Sequence, residues 1–236
     1  MKELTIPPYK ISVCCPCFMK PQRTIRAIES VLNQDINDWE ALFIGDGCPQ
    51  FERFMDDGTF SAYSEKALEN GNEMHFINLK EHKGGWGYAA RNVGFRLARG
   101  QYIVFLDNDD VITTNHFRNY LSEIENTDAD MVYFNSYIDP IDTVRESELR
   151  FGCIGHSEII VKTELLKNFI QKPEYGHDWA MIEHLIRKNA LIRKSNNEPT
   201  YIVKEIGGGH PNRERLTEKN TRHCVNSVSL KFVPAP

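Results

Sequence analysis

The sequence predicts an α/β fold, a mostly parallel sheet flanked by helices, and three observations carry that expectation. Short apolar runs alternate with stretches whose apolar residues recur at helical spacing, the pattern of strand, crossover helix and strand. Two runs stop abruptly at acidic turns, Gly45-Asp46-Gly47 and Asp107-Asn108-Asp109-Asp110. Strands end this way where the carboxyl edge of an open sheet forms a ligand crevice. At 236 residues the chain can bury one sizeable core and hardly two. It reads as a single domain over 1–236, with one half over about 10–110 and a second over 111–236.

The elements follow in order. Ile11 to Cys15 is the first strand. A loop with Pro16 and Pro21 leads to Ile25, Ile28, Val31 and Leu32 at helical spacing, with Thr24 as N-cap. Ala41 to Ile44 is the second strand, Gln50 to Asn70 a polar, helix-compatible segment and Met74 to Leu79 the third strand. After Gly84-Gly85-Trp86-Gly87, residues Ala90, Val93, Gly94, Leu97 and Ala98 keep one helical face, stopped by Gly100. Gln101 to Leu106 is the next strand. Beyond Asp110 the rhythm loosens. Met131 to Phe134 and Glu158 to Val161 are short strands, and Leu165, Leu166, Phe169 and Ile170 mark a helix. Another helix starts near Asp178, and Tyr201 to Ile206 is the last strand. From Gly207 onward the composition is that of a loop and an extended tail.

A formal net charge of −5 excludes a general nucleic-acid binder, which shows a basic surplus or stripe, so the expected partner is small. No apolar stretch approaches the roughly 20 residues that span a bilayer. Met1 to Lys10 has no apolar segment of signal-peptide type, which predicts a cytoplasmic protein. Cys14, Cys15 and Cys17 lack the paired spacing of a zinc site and read as reduced cysteines packed at a strand end.

The cluster Asp107-Asn108-Asp109-Asp110 carries most of the chemistry. Packed carboxylates at a buried strand end, with little between them to neutralise the charge, are costly unless a cation is held there. Residues two apart in extended chain point the same way, so Asp107 and Asp109 can face one ion while Asn108 turns elsewhere. Such oxygens suit Mg2+ or Mn2+ that also grips substrate phosphates. The bland alternative is a solvated acidic turn capping a helix near Asn115.

Asp46, between two glycines, can reach a base or ribose at the same sheet edge; otherwise Asp46-Gly47 is a turn dipeptide. Gly85-Trp86-Gly87-Tyr88-Ala89-Ala90 matches the dinucleotide fingerprint, with Asp107 twenty residues after Gly87 as a ribose ligand, which makes an NAD-dependent oxidoreductase a competitor. Asp178 stands at a helix start, where a capping residue and a catalytic base look alike. His210, after three glycines, lies on a loop that could close over a ligand and add a metal donor.

Taken together, the segments resemble family 2 glycosyltransferases of the GT-A fold, whose sheet is Rossmann-like. The residues that carry the resemblance are Ile11-Ser12-Val13 with Pro16; Ala27-Ile28-Glu29-Ser30-Val31-Leu32-Asn33-Gln34; Ile44-Gly45-Asp46-Gly47; Ala90-Arg91-Asn92-Val93-Gly94; and Ala98 through Asp110. It is close over 11–110 and rests afterwards on His177-Asp178-Trp179. The resemblance implies a nucleotide-diphosphate sugar donor, UDP-sugar favoured, and inverting transfer to an acceptor hydroxyl, a glycan. It implies donor contacts from Pro16, Asp46, Gly84, Gly85, Arg91, Asp107 and Asn108. Mn2+ or Mg2+ would sit on Asp107 and Asp109, the family's D-x-D motif, with His210 completing the shell, and Asp178 would be the general base.

The chain departs from the family in three places: Gly45 where a second acid is common, Met19 where asparagine is common, and His177 in place of the acid before the base. Two further rivals are a sugar-nucleotide-forming nucleotidyltransferase, whose basic glycine-rich loop does not match Cys15 to Pro21, and a non-catalytic nucleotide-binding module, against which Asp178 counts.

Overall fold

The computed structural model describes residues 8–205. In chain order these form β1 (Tyr9–Cys17), α1 (Pro21–Leu32), β2 (Trp39–Gly45), α2 (Pro49–Asp56), α3 (Thr59–Glu69), β3 (Glu73–Asn78), α4 (Tyr88–Leu97), β4 (Gly100–Phe105), β5 (Val111–Ile112) and α5 (His116–Thr127). There follow β6 (Met131–Tyr133), β7 (Ser136–Ile138), β8 (Thr143–Arg145), β9 (Ile159–Lys162), α6 (His177–Arg187), β10 (Ile192–Lys194) and β11 (Tyr201–Val203).

Seven strands make the main sheet in the order β10-β6-β9-β4-β1-β2-β3. β1 lies parallel between β2 and β4, β3 is parallel to β2 and β10 to β6, while β9 runs antiparallel to both β4 and β6. The mostly parallel sheet expected from the alternation is therefore present, with one reversed strand among the described residues. All seven residues of β2 are buried, because helices cover both faces and leave no solvent side to make an alternating pattern.

Alternate residues of β1 divide the core. Ile11, Val13, Cys15 and Cys17 join a cluster with Ile28 of α1, Phe60 of α3 and Tyr120 of α5, while Cys14 faces Phe95 of α4 and Ile182 of α6. A Cβ on Gly94 would collide with the Cys14 sulfur, so this glycine lets α4 lie close on β1. The cysteines named in the sequence are free and buried, as expected. At the amino ends of the strands, fully buried Glu40 accepts from Ser12 Oγ at 2.6 Å and from Arg99 Nε at 2.8 Å. A buried charge persists only when paired in this way.

A second sheet, β5-β11-β7-β8, was not legible in the sequence apart from β11. β11 is antiparallel to β5 and parallel to β7, and β7 is antiparallel to β8. Its strands hold two or three residues each, too few to show a period.

Other local expectations need correction. Thr24 is not the N-cap of α1; Lys20 is, in the left-handed region at φ 58°, and Thr24 is buried one turn in. The segment from Gln50 to Asn70 is two helices, broken at Gly58 with φ 83°. Leu165 to Ile170 form no α-helix: one 3-10 turn covers Thr163–Leu165, and the segment then runs irregularly. Leu166 and Phe169 pack into the core all the same, so apolar spacing recorded burial there and not helical period.

Candidate active site

Asp107 follows β4 directly. Its N–H donates to Tyr201 Oη at 3.1 Å and its Oδ1 accepts from Arg91 Nη2 at 2.8 Å. Arg91, 4 % exposed on α4, also donates from Nη1 to the Trp86 carbonyl at 2.5 Å. Asp109 Oδ2 accepts from Lys20 Nζ at 3.2 Å, with Arg23 Nη1 at 3.9 Å. Asn108 turns the other way and donates to Thr24 Oγ1 at 2.9 Å. The expectation of carboxylates with little to neutralise them is thus corrected, because the cations arrive from α4 and from the β1–α1 loop, out of sight of the local sequence.

The protein packed around Asp107 displaces part of its hydration and raises its pKa; Arg91 pulls it back and Asp109 pushes it up further. The side chain nonetheless keeps 41 % exposure, open toward the crevice. Asp110, which had no assigned role, is 6 % exposed and accepts from Tyr201 Oη at 2.8 Å and Lys204 N at 2.9 Å. Burial first, then Asp107, pushes its pKa up to about 7. Its contacts anchor β11 beneath the site, and they explain why the second sheet forms against the acidic cluster.

Asp46 follows β2 and is 2 % exposed. Its carboxylate accepts from Lys83 N at 3.0 Å and Gly84 N at 2.8 Å, with His82 Nδ1 at 3.0 Å, and Phe18 stacks on His82 with ring centroids 4.0 Å apart. Asp46 therefore clamps the glycine loop at the carboxyl edge of the sheet. Gly84, Gly85, Trp86 and Gly87 all have positive φ, and a Cβ on Gly87 would lie 2.7 Å from Cβ of Pro16 at the end of β1.

On the other wall, Gly176 with φ 82° caps α6, so Asp178 sits in its first turn and is not the capping residue. Asp178 Oδ1 accepts from Trp179 N at 2.8 Å, and burial raises its pKa. His177 is pushed down to about 4 and His156 well below its usual value, both by burial first and by Arg91 next. Both ring nitrogens of His177, Nε of Arg91 and Oε1 of Gln171 are buried with no hydrogen-bond partner. The charge of Arg91 thus acts on Asp107, Asp178, His156 and His177 together. Arg145, from β8, is paired to buried Glu158 at 2.7 Å and acts on Asp107 and Asp178 as well.

The structure therefore gathers Pro16, Asp46, Gly84, Gly85, Arg91, Asp107, Asn108 and Asp109 at the carboxyl ends of β1, β2 and β4, with Asp178 in reach of the same arginine. His210 lies outside the described residues. Sequence reasoning missed Lys20, His82, Arg145 and Tyr201; none has a local motif, and only chain folding brings them in. The dinucleotide fingerprint is corrected. β3, the strand before the glycines, is at the sheet edge, and β2 and β1 separate it from β4. The neighbouring strands of a dinucleotide-binding unit are therefore absent from this stretch. A cleft of about 520 Å³ beside β3, lined by Phe60, Met74, His75 and Arg99 among others, contains none of the site residues.

A divalent cation fits the donor set. The contacts above use one oxygen of Asp107 and one of Asp109, leaving the second oxygen of each for an ion. Among the described residues there is no cluster of three or more histidine, cysteine or acidic ligands. Two carboxylates suit Mg2+ or Mn2+, which complete their shells with water and substrate phosphate.

Comparison with known proteins agrees with this geometry. Residues 12–198 match the family model described as glycosyl transferase family 2. The cholesterol galactosyltransferase of Borreliella burgdorferi is 28 % identical over 207 residues, covering 84 % of this chain and 53 % of that relative. Among solved structures, S. aureus TarS 1-349 in complex with UDP-GlcNAc superposes with a TM-score of 0.68 at 18 % identity, covering 85 % of this chain and 60 % of that one. The mannosyltransferase PcManGT from Pyrobaculum calidifontis, in complex with GDP-Man and Mn2+, gives 0.62 at 16 % identity, covering 86 % and 59 %. The chain spans about half the length of the curated relatives it matches. With the sheet order, the acidic edge and the family match in agreement, the chain has the GT-A fold and belongs to glycosyl transferase family 2.

Proposed function

We propose that the protein transfers a sugar from a nucleotide-diphosphate sugar, UDP-sugar favoured, to an acceptor hydroxyl on a glycan, with inversion. The observation that carries this reading is that one buried arginine, Arg91, is hydrogen-bonded to the D-x-D carboxylate Asp107 and acts by its charge on Asp178, a carboxyl whose pKa burial raises and Arg91 partly restrains. A general base works best when its pKa approaches the operating pH, and burial moves Asp178 in that direction. The solved neighbours bound to UDP-GlcNAc or to GDP-Man and Mn2+ support the donor class.

In this reading Asp46 and the Phe18–His82 stack receive the nucleobase and ribose, and Gly84 and Gly85 give the backbone room to approach the donor. Asp178 takes the proton of the acceptor hydroxyl as its oxygen forms a bond to the anomeric carbon and the bond from that carbon to the diphosphate breaks. Asp107 and Asp109 would hold Mn2+ or Mg2+, which would supply positive charge to the leaving diphosphate, and Lys20, Arg23 and Arg145 add fixed charge around it. Neutral His177 stands where the family has an acid, which removes a negative charge beside the base. Residues of about 10–110 serve the donor and those from 111 onward the acceptor, within one domain. The cytoplasmic location expected from the sequence belongs to the same reading; no helix of the described residues is long and apolar enough to cross a membrane.

A thermal-shift screen of UDP- and GDP-sugars with and without Mn2+ tests the class. Saturation at about a hundred times Kd stabilises by about 2.7 kcal/mol, so one donor should raise Tm by several degrees only with the metal. Asp178→Asn should keep that shift and lose transfer. A shift insensitive to EDTA refutes the metal role, and loss of nucleotide binding in Asp178→Asn refutes the base.

A further inference from the structure

Three large aromatic side chains stand exposed near the start of α6, each on a different segment. Trp86 is 59 % exposed, Tyr175 65 % and Phe151 52 %. Trp86 meets Tyr175 edge to face with centroids 6.1 Å apart, and Tyr175 meets Phe151 in the same way, also at 6.1 Å. Trp86 also meets the ring of His177 at 6.3 Å, and Asp178 is the next residue. Apolar rings of this size are ordinarily buried, and the fold leaves three of them exposed in one place.

The backbone beneath them is built for this placement. Trp86 is held at φ 52° within a run whose other members, Gly84, Gly85 and Gly87, are glycines at φ 64°, 57° and 79°. A non-glycine residue there is strained, and such strain concentrates at functional sites. The two walls are also locked together. A Cβ on Gly85 would lie 3.2 Å from Pro173 Cβ. The Asn92 side chain donates to Gln171 O at 2.9 Å and accepts from Gln171 N at 2.8 Å. A Cβ on Gly176 would lie 2.5 Å from the Phe151 ring, which fixes that ring against the start of α6.

We propose that Trp86 and Tyr175, backed by Phe151, form an acceptor subsite that takes one pyranose ring by stacking on its apolar C–H face, and that Trp86 is a specificity-determining residue for the acceptor. The inference rests on the glycosyltransferase reading and names the acceptor chemistry of the same site. A sugar ring has flat apolar faces and a polar rim. The site offers exposed aromatic planes next to the start of α6, where the carboxylate of Asp178 supplies a hydrogen-bonding group. A hydrocarbon chain would leave that carboxylate against apolar surface with no partner.

The test uses the full chain with UDP and Mn2+, and methyl glycopyranosides of glucose, galactose, mannose and N-acetylglucosamine as probes. Saturation-transfer NMR reads which protons approach the aromatic rings, and titration gives Kd. At least one glycoside should take up saturation at its ring C–H protons, and Trp86→Ala should weaken its Kd about tenfold, roughly one lost aromatic contact. Trp86→Phe should stay within about threefold, since a stacking plane remains. Both variants should keep the wild-type thermal shift with nucleotide sugar, which shows that the fold and donor site are intact. The subsite is overturned if no glycoside binds, if Trp86→Ala leaves binding unchanged, or if Trp86 emission responds to phosphatidylglycerol vesicles and to no glycoside. Glycoside binding at Trp86 without any nucleotide-sugar shift in the wild type counts against the transferase reading alone.

Discussion

Replacing His116 by glutamine should remove one proton's worth of acid sensitivity from the folded protein. The imidazole is 1 % exposed on α5, its Nδ1 lies 2.9 Å from Thr200 Oγ1, and its ring centre is 3.9 Å from that of Tyr120. Burial depresses its pKa from 6.5 to about 3. The unfolded chain takes up this proton near 6.5 and the fold only near 3, so the unfolded state binds more protons between those values. Stability from neutral His116 is therefore fully present above about pH 6.5 and is lost as pH falls toward 3.

A pKa lowered from 6.5 to about 3 corresponds to about 5 kcal/mol in total, of which about 2 kcal/mol is lost between pH 7 and pH 5. His177 and His156 are also held low and contribute the same sign to wild type and variant alike. The comparison that matters is therefore a difference: urea unfolding at about pH 7 and pH 5 for both proteins. The wild type should lose about 2 kcal/mol more than His116→Gln over that interval, whatever the variant costs at neutral pH. Equal losses, or an NMR titration of the His116 ring near 6.5 in the native protein, would refute the burial argument.

Two other perturbations follow from the geometry. Gly87→Ala places a Cβ 2.7 Å from Pro16 Cβ at φ 79°, so it should cost about 2–3 kcal/mol from clash and left-handed strain, read as a Tm drop of several degrees. Tyr201→Phe removes the hydroxyl that donates to Asp110 and accepts from Asp107 N. With Tyr201 fully buried, the loss should be about 1–3 kcal/mol in denaturant unfolding, together with weaker Mn2+-dependent nucleotide binding as Asp107 loosens.

Much of the site was legible because it sits at strand ends. Asp46 and Asp107 each follow an apolar run, and the run itself shows where the sheet edge lies. Gly84 and Gly85 were legible because a glycine cluster marks a loop. Asp110 was ambiguous for a physical reason: four adjacent polar residues look equivalent in sequence. Their roles divide only when Arg91, Lys20, Thr24, Tyr201 and Lys204 approach from elsewhere. The second sheet was illegible for a related reason, since strands of two or three residues are held by buried side chains such as Asp110 and Glu158, and by no period of their own.

Periodicity and turn chemistry are local properties, and through them the sequence by itself determined the α/β class and the parallel strands β1 to β4 and pointed to the carboxyl edge as the candidate site, while the ordered motifs carried the resemblance to the family. What only the tertiary structure decided depends on charge, distance and burial between segments far apart in the chain. Those include the antiparallel insertion of β9 and the sheet order in which β1 and β2 stand between β3 and β4, which denies the glycine turn a dinucleotide role. They include the pairing of each carboxylate with its cation, and the neutral state of His177 beside Asp178. They include as well the exposed aromatic rim of Trp86, Tyr175 and Phe151. Desolvation and Coulomb energy act through space, so no reading along the chain could assign them.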